Sequence, residues 1–177
     1  MDTDNRYIMT AFGKDRVGIV ADITETMHEL GCNLEDGNMT RLSDEFALIL
    51  LFTHSDPGIE ETLTEACRRL EQDKGLTAFF RVLTSEASTP DLSLPRHNLH
   101  LEGMDQTGIV ARFSRFLADQ GVNILYLQSE RRNIPQTGTA MYMVDMDIEL
   151  PLDHSRDVLE KELTALGDEL EINWKLT

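Results

Sequence analysis

The sequence has few cysteines, no long hydrophobic run and no recognisable leader. Its two cysteines, Cys32 and Cys67, fit neither a disulfide framework nor a metal-ligand spacing, and we interpret them as reduced, partly buried thiols. The longest apolar run, residues 46–52, is far shorter than the roughly 20 residues that a membrane-spanning helix needs. The N-terminus lacks a basic segment followed by an apolar one, so no secretory signal is predicted. Together these absences predict a soluble, cytoplasmic protein without membrane contact.

Basic residues are also scarce. The 177 residues include 16 Lys and Arg against 32 Asp and Glu, which gives a formal net charge of −16. A surface this acidic repels phosphate backbones, and direct nucleic-acid binding would need a concentrated basic patch. The only basic clusters are the pairs Arg68-Arg69 and Arg131-Arg132, which we interpret as solvated surface charges. We therefore expect no direct nucleic-acid binding.

Motifs for catalysis, metals and nucleotide cofactors are missing. The chain has neither G-x-G-x-x-G nor G-K-[ST], and no G-x-S-x-G frame for a nucleophile. Of five histidines only His97 and His100 lie close together, and in an extended segment their side chains point to opposite faces. No other ligands with zinc-like spacing support them. We predict no metal site, no cofactor and no enzymatic activity.

What the sequence does contain is a repeat. Residues 13–20 read GKDRVGIV and residues 103–110 read GMDQTGIV, with five of the eight positions identical at an offset of 90. The same offset places Gly31-Cys32-Asn33-Leu34 on Gly121-Val122-Asn123-Ile124. Two copies are too few for a solenoid, so they predict two similar globular modules.

Hydrophobic periodicity predicts the order βαββαβ in each copy. The predicted strands and helices of the first copy are 6–12, 17–30, 34–41, 46–53, a helix from Pro57, and 76–83; those of the second are 98–102, 107–120, 124–131, 139–150, 155–166 and 171–176. This order predicts an α+β fold of two ferredoxin-like modules, each a four-stranded antiparallel sheet with helices on one face. The modules are residues 1–84 and 98–177, joined by a Ser-, Thr- and Pro-rich linker at 85–97.

Two finer expectations follow from the apolar positions. Val20, Ile23 and Met27 have the spacing of one face of an α-helix. Residues 46–52 are apolar at every position, whereas a strand with one solvated face alternates. We therefore expect the open sheet face of the first module to be covered by the other module or by another chain.

The repeated loop lies between a strand and the start of a helix. Helix N-terminal amides lack internal partners and carry partial positive charge, so they attract a carboxylate or a phosphate. Gly18 and Gly108 let a ligand approach the backbone closely, while Asp15 and Asp105 disfavour a phosphate but can hydrogen-bond an ammonium group. This is the charge layout of a free α-amino acid. In the alternative interpretation, Asp only caps the helix and Gly only permits a turn.

The combination of G-x-D-x-x-G-I-V, an amphipathic helix and G-x-N-[LI] resembles the ACT domain family, as two tandem copies over nearly the whole chain. Within that family it is most similar to the two-module transcriptional regulators of the glycine cleavage system. The resemblance implies that the loop of one module faces the G-x-N strand start of its partner, so that Asp15 meets Asn123 and Asp105 meets Asn33. The ligand-binding residues that we predict are Gly13, Asp15, Arg16, Val17, Gly18, Ile19, Asn33, Leu34, Gly103, Asp105, Gln106, Thr107, Gly108, Ile109, Asn123 and Ile124.

The resemblance also implies partners. These are a small amino acid, with glycine as the first candidate, and a DNA-binding transcription factor, in a protein that does not bind DNA itself; we also expect a homo-oligomer. Gln106-Thr107 replaces Arg16-Val17, which leaves open whether the two sites work alike. A ligand-independent interaction module and an allosteric subunit of a separate amino-acid metabolic enzyme remain alternatives. The second module's last strand ends at the end of the sequence, so no catalytic domain is expected.

Overall fold

The predicted βαββαβ order occurs twice in the computed structural model, which describes residues 5–83, 94–133 and 140–177. These residues form two compact units. The first unit consists of β1 (Asn5–Lys14), α1 (Ile19–Glu29), β2 (Asn33–Leu42), β3 (Glu45–His54), a 3-10 turn (Pro57–Ile59), α2 (Glu60–Lys74) and β4 (Thr77–Leu83). The second consists of β5 (Arg96–Met104), α3 (Ile109–Asp119), β6 (Asn123–Asn133), β7 (Ala140–Glu149), α4 (Arg156–Leu170) and β8 (Ile172–Leu176).

Both sheets have the same strand order. The first is β2-β3-β1-β4 and the second is β6-β7-β5-β8, and every pairing is antiparallel. The two central strands of each unit carry the buried side chains, and one stripe of each helix packs against them. The predicted fold class, two ferredoxin-like modules, is therefore confirmed.

Helix α1 ends where the sequence predicts. Gly31 follows the helix with φ of 76°, in the left-handed region that glycine adopts without a Cβ penalty. The Cys32 amide then donates to the Met27 carbonyl at 3.0 Å, which satisfies an orphan carbonyl of the last turn. Gly121 ends α3 in the same way, with φ of 70°.

The core stripe of α1 differs by one residue from the prediction. Ile19, Ile23 and Met27 are buried, whereas Val20 is 38% exposed. Positions 19, 23 and 27 are spaced by four residues and lie on one side of the helix. The orientation of the helix on the sheet decides whether residue 19 or residue 20 faces the core. Val20 therefore lies at the exposed edge of the helix face that the spacing indicates.

The start of the second unit also differs. The predicted linker at 85–97 falls mainly on residues outside the described ranges, but Arg96 and His97 belong to β5. They pair with Glu149 and Ile148 because the neighbouring strand β7 is long enough to extend the ladder. Polar side chains hide such an extension from a periodicity argument.

On the open face of the first sheet, the side chain of Ile49 is 47% exposed. Covering of this face by the other module or by another chain stays a prediction. Among the described residues, no helix is long and apolar enough to cross a membrane.

Candidate ligand-binding loops

The helix that follows each repeated loop begins at a glycine in the left-handed conformation. Gly18 precedes α1 with φ of 86°, and Gly108 precedes α3 with φ of 96°. The first intrahelical bonds run from the Asp22 and Arg112 amides to the Gly18 and Gly108 carbonyls, at 2.9 Å each. No side chain caps either helix start in the described structure. Asp15 and Asp105 are therefore not N-caps, and the capping alternative does not account for them.

The first glycine of the motif has a different role from the second. A Cβ on Gly13 would lie 2.9 Å from the Gly75 carbonyl oxygen, at the corner between α2 and β4. A Cβ on Gly103 would lie 2.3 Å from the Ile172 side chain at the equivalent corner. By contrast, a Cβ on Gly18 would meet nothing within 4 Å. Gly13 and Gly103 thus permit close packing, whereas Gly18 leaves open space above the helix start.

The two motif aspartates each form an ion pair with an arginine 26 residues further along the chain. Arg41 Nη1 lies 3.3 Å from the Asp15 carboxylate, and Arg131 Nε lies 2.6 Å from the Asp105 carboxylate. The loop backbone is held as well. The Asp15 amide donates to the carbonyl of Asp44, in the turn between β2 and β3, at 2.8 Å, and the Asp105 amide donates to the carbonyl of Ala140, the first residue of β7, at 2.9 Å. Each aspartate is thereby positioned beside the helix start.

Sequence reasoning missed these arginines. We interpreted Arg131 as a solvated surface charge, although Arg41 occupies the same repeat position at the offset of 90. The shared spacing from Asp to Arg, present in both copies, was the available signal. The surroundings of the pair explain why it was overlooked: β2 and β6 carry mostly exposed, polar side chains without a clear periodicity.

The charges around the two helix starts differ. At α1, the Asp22 carboxylate accepts hydrogen bonds from Lys74, at 3.0 Å, and from Arg16. The Lys74 bond, followed by the Arg16 bond, lowers the pKa of Asp22 below its usual value. At α3, the residue equivalent to Asp22 is Arg112, and the Arg112 guanidinium pairs with Glu169. The first loop is thus bordered by more cationic groups than the second.

The remaining predicted residues divide by exposure. Val17 is fully exposed, and Arg16, Gln106 and Thr107 also lie on the surface of their loops. Ile19 and Ile109 are 4% and 3% exposed and belong to the cores. Their side chains are therefore not available to a ligand, and the Ile19 amide donates to the Arg16 carbonyl at 3.3 Å.

The G-x-N residues do not lie next to the loop of their own unit. Along β3, Lys14 pairs with Glu45, whereas Asn33 pairs with Thr53 at the other end. Eight residues of strand separate the two positions by about 27 Å. The second unit repeats this arrangement, with Met104 paired to Met141 and Asn123 to Glu149. Asn33, Leu34, Asn123 and Ile124 therefore cannot join the loop of the same unit, and their predicted role across modules stays a prediction.

Each loop therefore combines three groups: a helix start without a side-chain cap, a carboxylate, and an arginine that pairs with that carboxylate. The amides favour a carboxylate ligand, and the aspartate favours a cationic one.

Residues 5–81, nearly the whole first unit, match the family model of the ACT domain. The first unit is an ACT domain. The second unit has the same element order, sheet order and loop, so the predicted tandem of two ACT modules is confirmed.

Known proteins resemble the chain over nearly its full length. The glycine cleavage system transcriptional repressor of Escherichia coli K12 is 26% identical over 172 residues, which cover 96% of this chain and 88% of the repressor. A crystal structure of an unknown protein from Galdieria sulphuraria is 25% identical with a TM-score of 0.82, covering 98% of this chain and 97% of that one. The crystal structure of a candidate glycine cleavage system transcriptional repressor has a TM-score of 0.74 at 19% identity, covers 99% of this chain and 97% of that one, and shares the fold.

These findings confirm the resemblance to glycine cleavage system transcriptional repressors. They support a regulatory role for this tandem ACT protein.

Proposed function

We propose that this chain is a non-enzymatic regulator that senses a small amino acid, with glycine as the first candidate, and controls transcription through a protein partner. The observation that carries the proposal is the duplicated loop. In both copies a helix start without a side-chain cap lies beside an aspartate, with open space above the intervening glycine. A zwitterion complements that pair of charges, whereas a phosphate or a simple cation complements only one of them.

The ligand would bind with its carboxylate at the helix-start amides and its ammonium at the aspartate. In the free protein the aspartate is shared with an arginine, so the ammonium has to compete with Arg41 in the first loop and with Arg131 in the second. Asn33 and Asn123, by resemblance, would complete the shell from a different module.

The first loop is the stronger candidate site. Arg16 and Lys74 add two cations near the start of α1 and neutralise Asp22, whereas Arg112 at α3 is matched by Glu169. Positive potential near the amides favours a ligand carboxylate. We therefore propose that the first loop binds the ligand more tightly than the second.

Control through a protein agrees with the charge of the chain. A formal net charge of −16 disfavours direct contact with DNA phosphates. By resemblance, the partner is a DNA-binding transcription factor of glycine cleavage genes. A ligand controls such a complex only if it binds the free and partner-bound forms with different affinities.

The first experiment is thermal unfolding against amino acids and their fragments. Glycine, serine and alanine are compared with acetate, which lacks the ammonium, and methylamine, which lacks the carboxylate. A ligand at 100 times its dissociation constant stabilises the native state by about 2.7 kcal/mol, which is readily measured. We expect a shift with a zwitterion and none with either fragment. No shift with any amino acid at millimolar concentration would contradict the sensing function and favour a constitutive interaction module.

The second experiment concerns the partner. In an electrophoretic mobility shift at moderate salt, the purified chain alone is expected to leave promoter DNA unshifted. A tight, specific shift by the chain alone would contradict control through a protein. Affinity capture followed by mass spectrometry then separates the remaining classes: a transcription factor supports the proposal, whereas a biosynthetic enzyme supports an allosteric subunit.

A further inference from the structure

The open faces of the two sheets differ in chemistry although the two units share one fold. In the first sheet the side chains opposite the core include Ile8, Phe12, Ile49, Leu51 and Phe79, which we name the apolar face. Phe12, Ile49 and Phe79 are 45%, 47% and 55% exposed. Alternation places these residues on the side away from the helices, since their strand neighbours are buried in the core.

The same register positions in the second sheet are polar. The central cross-strand pair Thr10–Ile49 corresponds to His100–Asp145, whose Nδ1 and carboxylate lie 2.8 Å apart. The pair Ile8–Leu51 corresponds to Asn98–Asp147.

Phe79, on the outer strand, corresponds to Lys175. The second sheet therefore shows that this fold is compatible with a solvated open face. The apolar substitutions in the first sheet are not a requirement of the fold.

One cross-strand row of the first sheet also carries complementary charges. The row reads Arg81 on β4, Ile8 on β1, Leu51 on β3 and Asp36 on β2, because Ile8 pairs with both Arg81 and Leu51, and Leu51 pairs with Asp36. Charge is positive at one edge of the sheet and negative at the other, with two aliphatic residues between them. A shallow depression of about 300 Å³ lies over part of this row, lined by Ile8, Asp36 and Leu51 among others.

We infer that the apolar face binds the same face of a second copy of this chain. When a two-fold axis parallel to the strands relates the two copies, the row of one copy faces the row of the other in the opposite order. Arg81 then meets Asp36 of the second copy, and Ile8 meets Leu51 of the second copy. The interface is isologous, so both charge pairs form at once. A partner with charges at the centre would have to bury them against Ile49 and Leu51, which is costly. The inference rests on the sheet and is independent of the proposed ligand.

The size of the face sets the strength of the dimer. Four strands at ~4.8 Å by seven residues at ~3.3 Å give a projected area of about 440 Å² for each copy. The two faces together amount to about 880 Å², which is below the roughly 1,200–2,000 Å² that specific, stable interfaces bury in total. We therefore expect a reversible dimer whose population rises with concentration.

Sedimentation velocity of the full chain from micromolar to near-millimolar concentration tests the inference. The wild type is expected to move from a mass of 20.1 kDa towards twice that value. Ile49→Asp and Phe79→Lys, which introduce the charge types found at the same positions of the second sheet, are expected to remain monomeric. Val158→Asp is the matched control, because Val158 is also 47% exposed but lies on α4, and it should dimerise like the wild type.

A charge exchange tests the two-fold arrangement. Arg81→Asp should weaken the dimer because it places two negative charges opposite each other. Adding Asp36→Arg should restore the dimer, since opposite charges then face each other again with their positions exchanged. Far-UV circular dichroism verifies that each variant is folded. A wild type that stays monomeric throughout, or a dimer that survives both Ile49→Asp and Phe79→Lys, would overturn the inference. Failure of the double variant to recover would overturn the proposed axis.

Discussion

Replacing Asp15 by alanine separates a ligand-binding role of the loop from a purely structural one. The N-cap of α1 is Gly18, so the substitution removes no helix cap. What it removes is an ion pair with Arg41 at 3.3 Å, in which the two side chains are 26% and 65% exposed. Exposed pairs of this kind contribute about 0–1 kcal/mol, so unfolding of the first unit should become easier by no more than that.

The effect on ligand binding should be larger. A hydrogen bond to a charged group contributes about 1.5–3 kcal/mol when it forms in a protected site. Because about 1.4 kcal/mol corresponds to a factor of ten, Asp15→Ala should weaken glycine binding by about 10- to 150-fold. The same change at Asp105 should have a smaller effect if the first loop is the tighter site.

Isothermal titration calorimetry gives the affinity, and urea unfolding followed by circular dichroism gives the stability. Asp44→Ala is the matched control. It removes the same charge from the neighbouring turn, where the carboxylate lies 3.8 Å from Lys14 and both side chains are largely exposed. Asp44→Ala should change neither quantity by much.

Two results would refute the reasoning. A loss of more than about 2 kcal/mol of unfolding free energy in Asp15→Ala would mean that the carboxylate has a structural role larger than its contacts indicate. Unchanged glycine affinity in a folded Asp15→Ala protein would remove the carboxylate from the site. Arg41→Gln distinguishes the role of its partner: tighter binding indicates that the arginine competes with the ammonium, and weaker binding contradicts that competition.

Three further predictions concern packing and pH. Gly13→Ala should lower the unfolding free energy by about 1–3 kcal/mol in urea unfolding, because its Cβ would lie 2.9 Å from a backbone oxygen at the α2–β4 corner. Gly167→Ala should also destabilise the second unit, although alanine normally favours a helix, because the new methyl group would lie 2.9 Å from Trp174. Trp174 is the single tryptophan, so a change in its fluorescence reports the disturbance. The hydrogen bond from Lys74 lowers the pKa of Asp22 in the folded state. The stabilisation that the Asp22 carboxylate contributes is therefore fully present above its usual pKa of 3.8 and is lost as pH falls through the lowered pKa. The melting temperatures of wild type and Asp22→Asn should differ at neutral pH and converge in acid.

The internal repeat was the most informative feature for the fold. Five identical positions at an offset of 90, together with the periodicity of the segments between them, were enough to predict two βαββαβ modules. Strand and helix positions agreed because turns, glycine-terminated helices and apolar periods are local signals. Their exact ends agreed less well: β5 extends to Arg96 because a neighbouring strand pairs with it.

The candidate site was only partly predictable. The loop and its aspartates were identified from sequence, but the capping alternative could not be excluded until Gly18 was found at the N-cap. Arg41 and Arg131 were missed because nothing local connects them to a loop 26 residues earlier. Asn33 was assigned by resemblance to the loop of the other module; strand register places it far from the loop of its own unit, and its role across modules stays a prediction.

The sequence by itself determined the modular repeat, the fold class, the acidic surface and the charge types of the loop, since these depend on residue identity and short spacings. Tertiary structure decided which charges meet. The antiparallel register brings Arg41 to Asp15, places Lys74 on Asp22, and aligns Arg81 and Asp36 at opposite ends of one row. Such contacts depend on the pairing of distant segments, and a shift of one residue in any strand would turn these side chains to the other face.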